Sequence, residues 1–323
     1  MSNSIRNSNT INSNSSNKST SNKSSNSSNK ASNSSNKSSN SNKSISKDKK
    51  ENNNTTLTII CSLIIIILIC IAICHSAFKN GLLTCDHYVL NTYLYILLSV
   101  FIIYLIVLIN DKTGIFNGMI YQYGLFMAIV IFIVFLFLIY MLHKIPPQEI
   151  FKSNFVWLLL IILLGILIIP IIDLGRMTGV LGNAGLYTCI IVIITGLLGY
   201  YKGDYIVRFD WDYYLYIGVI LWAVISIIGF ICIYIYNPSL KTVIMFIYIM
   251  SIISLIIFVL LLLSVHKTLK ENADKCINGN GTVIPNYPTQ SFTIIIKIYN
   301  IFENVVSILG ARKLMSRKGK GRR

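Results

Sequence analysis

Seven stretches of 19 to 25 predominantly apolar residues recur along this chain, at 57–77, 89–109, 119–142, 155–173, 178–200, 213–236 and 241–265. Each is long enough to cross a hydrocarbon core of about 30 Å as a helix. Only helices or closed barrels satisfy every backbone polar group in lipid. Stretches of this length predict an all-α, polytopic membrane helical bundle. An eighth stretch, 290–310, has the length but carries Lys297, Asn300 and Glu303. Lipid-exposed charge at that depth costs about 3 kcal/mol or more. This last segment therefore either spans inside the bundle or dips in and returns, giving seven to eight transmembrane segments.

Composition agrees: 54% of the 323 residues are hydrophobic and 12% charged, far from the quarter charged residues of a soluble enzyme. The net charge of +16 suggests nucleic acid until it is located. Residues 1–50 hold nine basic residues and one acid, and 311–323 hold seven basic residues and none, which leaves +1 for everything between. Two basic tails suit anionic lipid and the positive-inside rule, and no nucleic-acid partner is expected. Residues 1–55 are Ser-, Asn- and Lys-rich with almost no large apolar side chain. Such a segment cannot offset its backbone entropy by burial and is expected to be a disordered, solvated linker. A secretory signal is not expected, because the first hydrophobic stretch lies too deep in the chain. The organisation predicted is a tail to 55, a first helix at 56–77, a membrane domain at 88–310 and a basic tail at 311–323.

Short connections with breakers, among them Asp111 to Gly114, Pro146-Pro147 and Asn237-Pro238, favour antiparallel neighbours. Tyr200, Tyr201, Tyr205, Trp211, Tyr213 and Tyr214 form an interfacial belt. Gly175, Gly179, Gly182 and Gly185 permit close helix contact or a flexible entry loop, and both readings stand. With both basic tails cytosolic the number of spans is even. Eight spans place Cys85 and Cys276 in loops on the same outer side, where a disulfide can form if that side is oxidising. Cys61, Cys70, Cys74, Cys189 and Cys232 fall within apolar helices as packing residues.

Catalytic signatures are missing. The sequence has no HExxH, no GxSxG, no phosphate-binding glycine-lysine loop and no CxxC. Lys202-Gly203-Asp204 is similar to an intramembrane aspartyl protease loop, but Tyr201 stands where a glycine belongs. Cys70, Cys74 and His75 lie at metal-ligand spacing, and Cys85-Asp86-His87 is a second candidate triplet. Packing is the plainer reading of the first, and adjacent residues rarely converge on one ion without further partners. Neither an enzyme nor a resident metal or cofactor is expected.

The richest stretch is Asn286-Tyr287-Pro288-Thr289-Gln290-Ser291, followed by Ile296-Lys297-Ile298-Tyr299-Asn300-Ile301-Phe302 and by Ser307-Ile308-Leu309-Gly310. It resembles the closing motif of the transmembrane Bax inhibitor motif family, a Leu-Asp-x-x-Asn-Leu-Phe helix ending in Ile/Leu-Leu-Gly before a basic tail. Asn300, Phe302 and Gly310 fall in register. Upstream, Ala184-x-x-x-Thr188 leading through Gly196 to Tyr200-Tyr201-Lys202-Gly203-Asp204-Tyr205 is similar to that family's Ala-x-x-x-Thr helix and Lys/Arg-Asp-Phe loop. The resemblance covers residues 88–312, so the tail and first helix are additions.

The resemblance implies a leak for calcium ions across the endoplasmic reticulum or another internal membrane. It also implies suppression of cell death through cell-death regulatory membrane proteins. In the family an aspartate pair on the last two helices gates the pore by pH. Here no acid stands near Leu263-Ser264-Val265-His266, and Lys297 occupies the second position. The di-aspartate gate is not expected. Lys297, Glu303, Asp173 and Asp204 remain as pore or ion-pair candidates. The alternative is a non-conducting scaffold or decoy that binds cell-death or channel proteins.

Overall fold

The computed structural model describes residues 37–79, 82–206, 211–278 and 284–320, with the backbone alone for 37–55, 79, 82, 117–128, 204, 206, 211–212 and 317–320. The chain divides into two units, 1–51 and 52–323, and the membrane bundle belongs to the second. Residues 1–36 of the low-complexity tail lie outside the described residues.

Among the described residues the helices are α1 (Lys37–Ala77), α2 (Tyr88–Thr113), α3 (Ile115–Lys144), α4 (Ile150–Leu167), α5 (Ile169–Thr178), α6 (Leu181–Ile206), α7 (Trp211–Tyr236), α8 (Leu240–Asn278) and α9 (Tyr287–Lys320). A small antiparallel pair, β1 (Phe78–Lys79) and β2 (Leu82–Leu83), follows α1 with Phe78 opposite Leu83. Helix α1 begins inside the tail expected to be a linker. Once 57–77 has nucleated a helix, extending it fixes one residue per added hydrogen bond and needs no new nucleus.

Seven segments are long and apolar enough to cross a membrane, namely Thr56–Ala77, Tyr88–Thr113, Ile150–Thr178, Leu181–Gly203, Tyr213–Tyr236, Leu240–Asn278 and Tyr287–Ser316. In α3 the apolar part with described side chains is Ile129–Lys144. The stretch expected as one span at 155–173 falls within the single apolar segment Ile150–Thr178, which is divided into α4 and α5 at Ile168, with Pro170 in the first turn of α5. Proline cannot donate the helical hydrogen bond and is accommodated where a first turn would leave that donor unmatched.

The helix ends sort into two layers. At one, the Arg176 guanidinium at the end of α5 donates to both carboxylate oxygens of Asp111 at the end of α2, each at 2.6 Å. There Lys313 of α9 reaches the Gly179 carbonyl at 3.4 Å, and Lys112 donates to Thr56 of α1 at 3.1 Å. At the other, Cys85 and Cys276 form a disulfide with Cα atoms 5.6 Å apart, joining the loop before α2 to the end of α8. Tyr287, at the start of α9, donates to the Thr84 carbonyl. The Tyr95 hydroxyl donates to Asn154 of α4 at 2.9 Å. Thr56 and the start of the basic C-terminal segment therefore lie in the same layer.

Helix α9 packs against α2, α4, α5, α6 and α8. It is one uninterrupted helix of 34 residues, about 50 Å long at 1.5 Å per residue. The segment left between spanning and re-entrant thus runs through the middle of the bundle without a turn. Central position is what makes its polar residues tolerable. By contrast, none of residues 213–236 in α7 is buried. That helix leans on α8 through Trp222 against Phe258 and Phe230 against Phe246.

Candidate functional site

The chemistry concentrates on α9 and the face of α8 that meets it. Lys297 is 8% exposed, and its ammonium donates to the Thr293 carbonyl one turn back at 3.0 Å. On α8 the positions where a second acid belongs hold Ser264 and His266, which are 2% and 1% exposed. The interior at this level therefore presents a cation, a hydroxyl and an imidazole.

Glu303 lies six residues beyond Lys297 on the same helix. That separation is about 9 Å along the axis and roughly 120° around it, so the two charges point to different neighbours. Glu303 has no hydrogen-bond or ion-pair partner among the described residues. It lines a cavity of about 200 Å³ between α7, α8 and α9 whose wall is mostly apolar, through Trp222, Phe230, Phe246, Ile247 and Met250, with polar groups from Ser226, Ser251, Ser254, Asn300, Asn304 and Ser307. Asn304 is held by donating to Ser254 at 2.9 Å and to the Asn300 carbonyl at 2.6 Å. The Asn300 amide donates to the Ile296 carbonyl at 2.7 Å. With those amide hydrogens engaged, the side-chain oxygens of both asparagines remain as acceptors beside a carboxylate. The oxygens on this otherwise apolar wall are of the type that hard cations and water take.

Asp173 sits elsewhere, in the middle of α5 beside Arg176 at 3.7 Å, in the cluster that Arg176 forms with Asp111. It belongs to a partly exposed ion-pair group fastening α2 to α5. The side chain of Asp204 lies outside the described residues. Cys70, Cys74 and His75 are exposed on α1, and among the described residues no cluster of three or more metal-ligating side chains occurs.

The three motif residues have packing explanations. Asn300 helps build the Glu303 cavity. Phe302 packs against Val107, Ile168 and Ile169 where α2, α5 and α9 meet. Gly310 is buried, and a Cβ there would lie 3.6 Å from the Thr178 methyl of α5, so the helices approach closely at that layer.

Of the four glycines read as either close contacts or an entry loop, Gly175 meets the start of α6, where a Cβ would lie 3.1 Å from Leu181 Cδ1, and the other three do not pack helix on helix. Gly179 has φ of +65° and ends α5, while a Cβ on Gly182 or Gly185 meets nothing within 4 Å. Contact falls later in α6. A Cβ on Gly199 would sit 2.7 Å from both the Leu263 carbonyl oxygen and the His266 Cβ, and one on Gly203 would sit 2.9 Å from the Lys267 Cβ. The signal is present in the sequence as Gly196-x-x-Gly199-x-x-x-Gly203, small residues along one helix face.

Residues 85–313 match the family described as Inhibitor of apoptosis-promoting Bax1. The match takes in the Cys85 and Cys276 loops and α2 through most of α9, and leaves α1 outside. No curated protein matches the chain.

Proposed function

Because the chain belongs to the Bax inhibitor family, we propose that this integral membrane protein is a slow leak for calcium ions across an internal membrane such as the endoplasmic reticulum. We further propose that it lacks an acid-pair gate and acts with cell-death regulatory membrane proteins. The observation that carries the reading is the pairing of two features on the central helix. Glu303 lines a largely apolar cavity between α7, α8 and α9 that also carries serine and asparagine oxygens, and Lys297 is buried about 9 Å further along the same helix.

The Glu303 cavity supplies carboxylate and amide oxygens that can replace part of a cation's hydration shell. Lys297, buried about 9 Å away along α9, adds a cation to the interior, and like-signed charges repel a divalent ion more strongly in a low-dielectric medium than in water. A path of this kind conducts weakly. It also lacks the two neighbouring carboxylates that share a proton in an acid-sensitive gate. The proposed role is not enzymatic, in keeping with a sequence that carries none of the common catalytic signatures.

Calcium flux into liposomes holding the purified protein tests the reading. The unmodified protein is expected to give a small flux that does not change with acidification. The double change Ser264→Asp with Lys297→Asp is expected to raise it and to introduce pH dependence. Robust, pH-gated flux through the unmodified protein overturns the reading. Absence of flux in both forms favours the non-conducting scaffold.

A further inference from the structure

At the disulfide-bearing end of the bundle, a second cavity of about 380 Å³ opens between α2, α6 and α8, within the roughly 300–1,000 Å³ range of pockets that bury a small molecule. Its wall is built by Val89, Tyr93, Val192, Gly196, Tyr200 and His266. Nearly all of that surface is apolar, and the polar atoms converge at one level. His266 is 1% exposed, and its Nδ1 lies 2.7 Å from the Leu262 carbonyl oxygen. A carbonyl only accepts, so Nδ1 carries the proton and Nε2 is left with a lone pair and no partner among the described residues. The Tyr93 ring stacks on the imidazole, with centroids 6.1 Å apart.

Gly196 fixes where these groups point. A Cβ there would stand 3.5 Å from His266 Nε2 and 3.7 Å from the Tyr93 hydroxyl. Glycine leaves that spot open, facing an acceptor and a hydroxyl at once. The mouth is framed by Ile193, Leu197 and Tyr201, which are 61%, 56% and 71% exposed. On membrane-spanning helices such a rim faces lipid. The first charge on α8 after His266 is Lys267, and Tyr200 and Tyr201 stand one turn beyond Gly196 toward the helix end, so the polar seat lies near headgroup level.

We propose that this cleft binds a sterol-like lipid, one hydroxyl on a rigid apolar body, with the hydroxyl donating to His266 Nε2 and accepting from Tyr93. The chemistry selects against other membrane lipids. A diacylglycerol or phospholipid would carry two ester carbonyls or a charged headgroup to a seat where Tyr93 offers a single hydroxyl beside the imidazole and the rest of the wall is nearly all apolar, and an unmatched buried polar group is costly. A rigid body also loses little conformational freedom on entering. The cleft and the Glu303 cavity share no residue, so sterol binding and calcium flux succeed or fail separately.

The test uses the full-length protein in lipid nanodiscs with three photoactivatable diazirine probes: cholesterol, its 3-methyl ether and a diacylglycerol. Cholesterol is expected to label α2 and α6 saturably around residues 89–93 and 192–201. The ether and the diacylglycerol are expected to label these sites at least tenfold less. Gly196→Ala places a methyl in the hydroxyl's seat at ordinary contact distance and is expected to cut cholesterol labelling about tenfold without lowering the unfolding temperature. Equal labelling by cholesterol and its ether overturns the proposal, as does equal labelling by the diacylglycerol. The probe comparison needs no variant, so the proposal stays falsifiable if Gly196→Ala fails to fold.

Discussion

Single side chains decide how closely the helices of this bundle approach. At Gly199 a methyl would meet the Leu263 carbonyl oxygen at 2.7 Å, and main chain cannot swing aside as a side-chain tip can. Gly199→Ala is therefore expected to destabilise by about 1–3 kcal/mol, as over-packing does. Gly182→Ala, with open space around it, is expected to be neutral or to stabilise by about 0.5 kcal/mol, since glycine is the poorer helix former. Thermal unfolding of the two variants in detergent distinguishes them, and equal melting temperatures would mean that the α6–α8 contact contributes no stability. The charged residues make a second contrast. Glu303→Gln keeps the shape of the cavity wall but removes its negative charge, so it is expected to reduce whatever calcium flux the protein shows. Asp173→Asn, in the Arg176 cluster away from that cavity, is expected to leave flux unchanged. A larger loss with Asp173→Asn would relocate the path.

Between elements, the disulfide layer joins what the sequence keeps far apart. Cys85 and Cys276 are 191 residues apart, and beside them Asn91 donates to the Tyr287 hydroxyl at 3.3 Å and to the Ser76 carbonyl at 3.3 Å. Ser76 closes the exchange by donating to the Asn91 side-chain oxygen. One amide thus links α1, α2 and α9. Asn91→Ala is expected to cost about 1–3 kcal/mol through the buried groups it strands. Its measurable sign is easier proteolysis between α1 and α2. Cys85→Ser and Cys276→Ser are expected to lower the melting temperature equally, and the double variant no further, because each removes the same cross-link. A disulfide typically contributes about 2–4 kcal/mol in soluble proteins, and the low end is expected here because the helices of an unfolded membrane protein remain confined by lipid. Additive losses would mean that the two sulfurs act independently.

At this scale the sequence is legible where one residue type carries one meaning. Apolar run length locates the helices, and the placement of charge sorts their ends into layers. Less legible is anything that depends on which face a helix turns inward. The all-apolar helices have no polar stripe to mark a face, so the glycine cluster at the start of α6 suggests a contact that the structure makes near the helix end. The two cavities are hidden for the same reason, since Glu303 and His266 become informative only when three helices surround them.

For the molecule as a whole, topology is the property on which the other readings depend. Helix α1 runs beside α2 in the opposite sense, from Thr56 near Lys112 to Ser76 near Asn91. The ends then alternate through α9, which brings Lys313 to the Gly179 layer. This alternation is expected to give eight passes, with the ends of the membrane domain on one side. By the positive-inside rule that side is expected to be cytosolic, given nine basic residues in 1–50 and seven in 311–323. Protease added to sealed microsomes, cytosolic face outward, is expected to remove epitope tags at both ends. Asn280-Gly281-Thr282, outside the described residues but between α8 and α9 on the disulfide side, is expected to be glycosylated. The many Asn-x-Ser sequons of the tail are expected to stay unmodified. Cleavage at only one end would mean that α1 does not cross. Glycosylation of the tail would invert the whole bundle, placing the Glu303 cavity toward the lumen and the Cys85–Cys276 bridge in a reducing cytosol, where it would not persist.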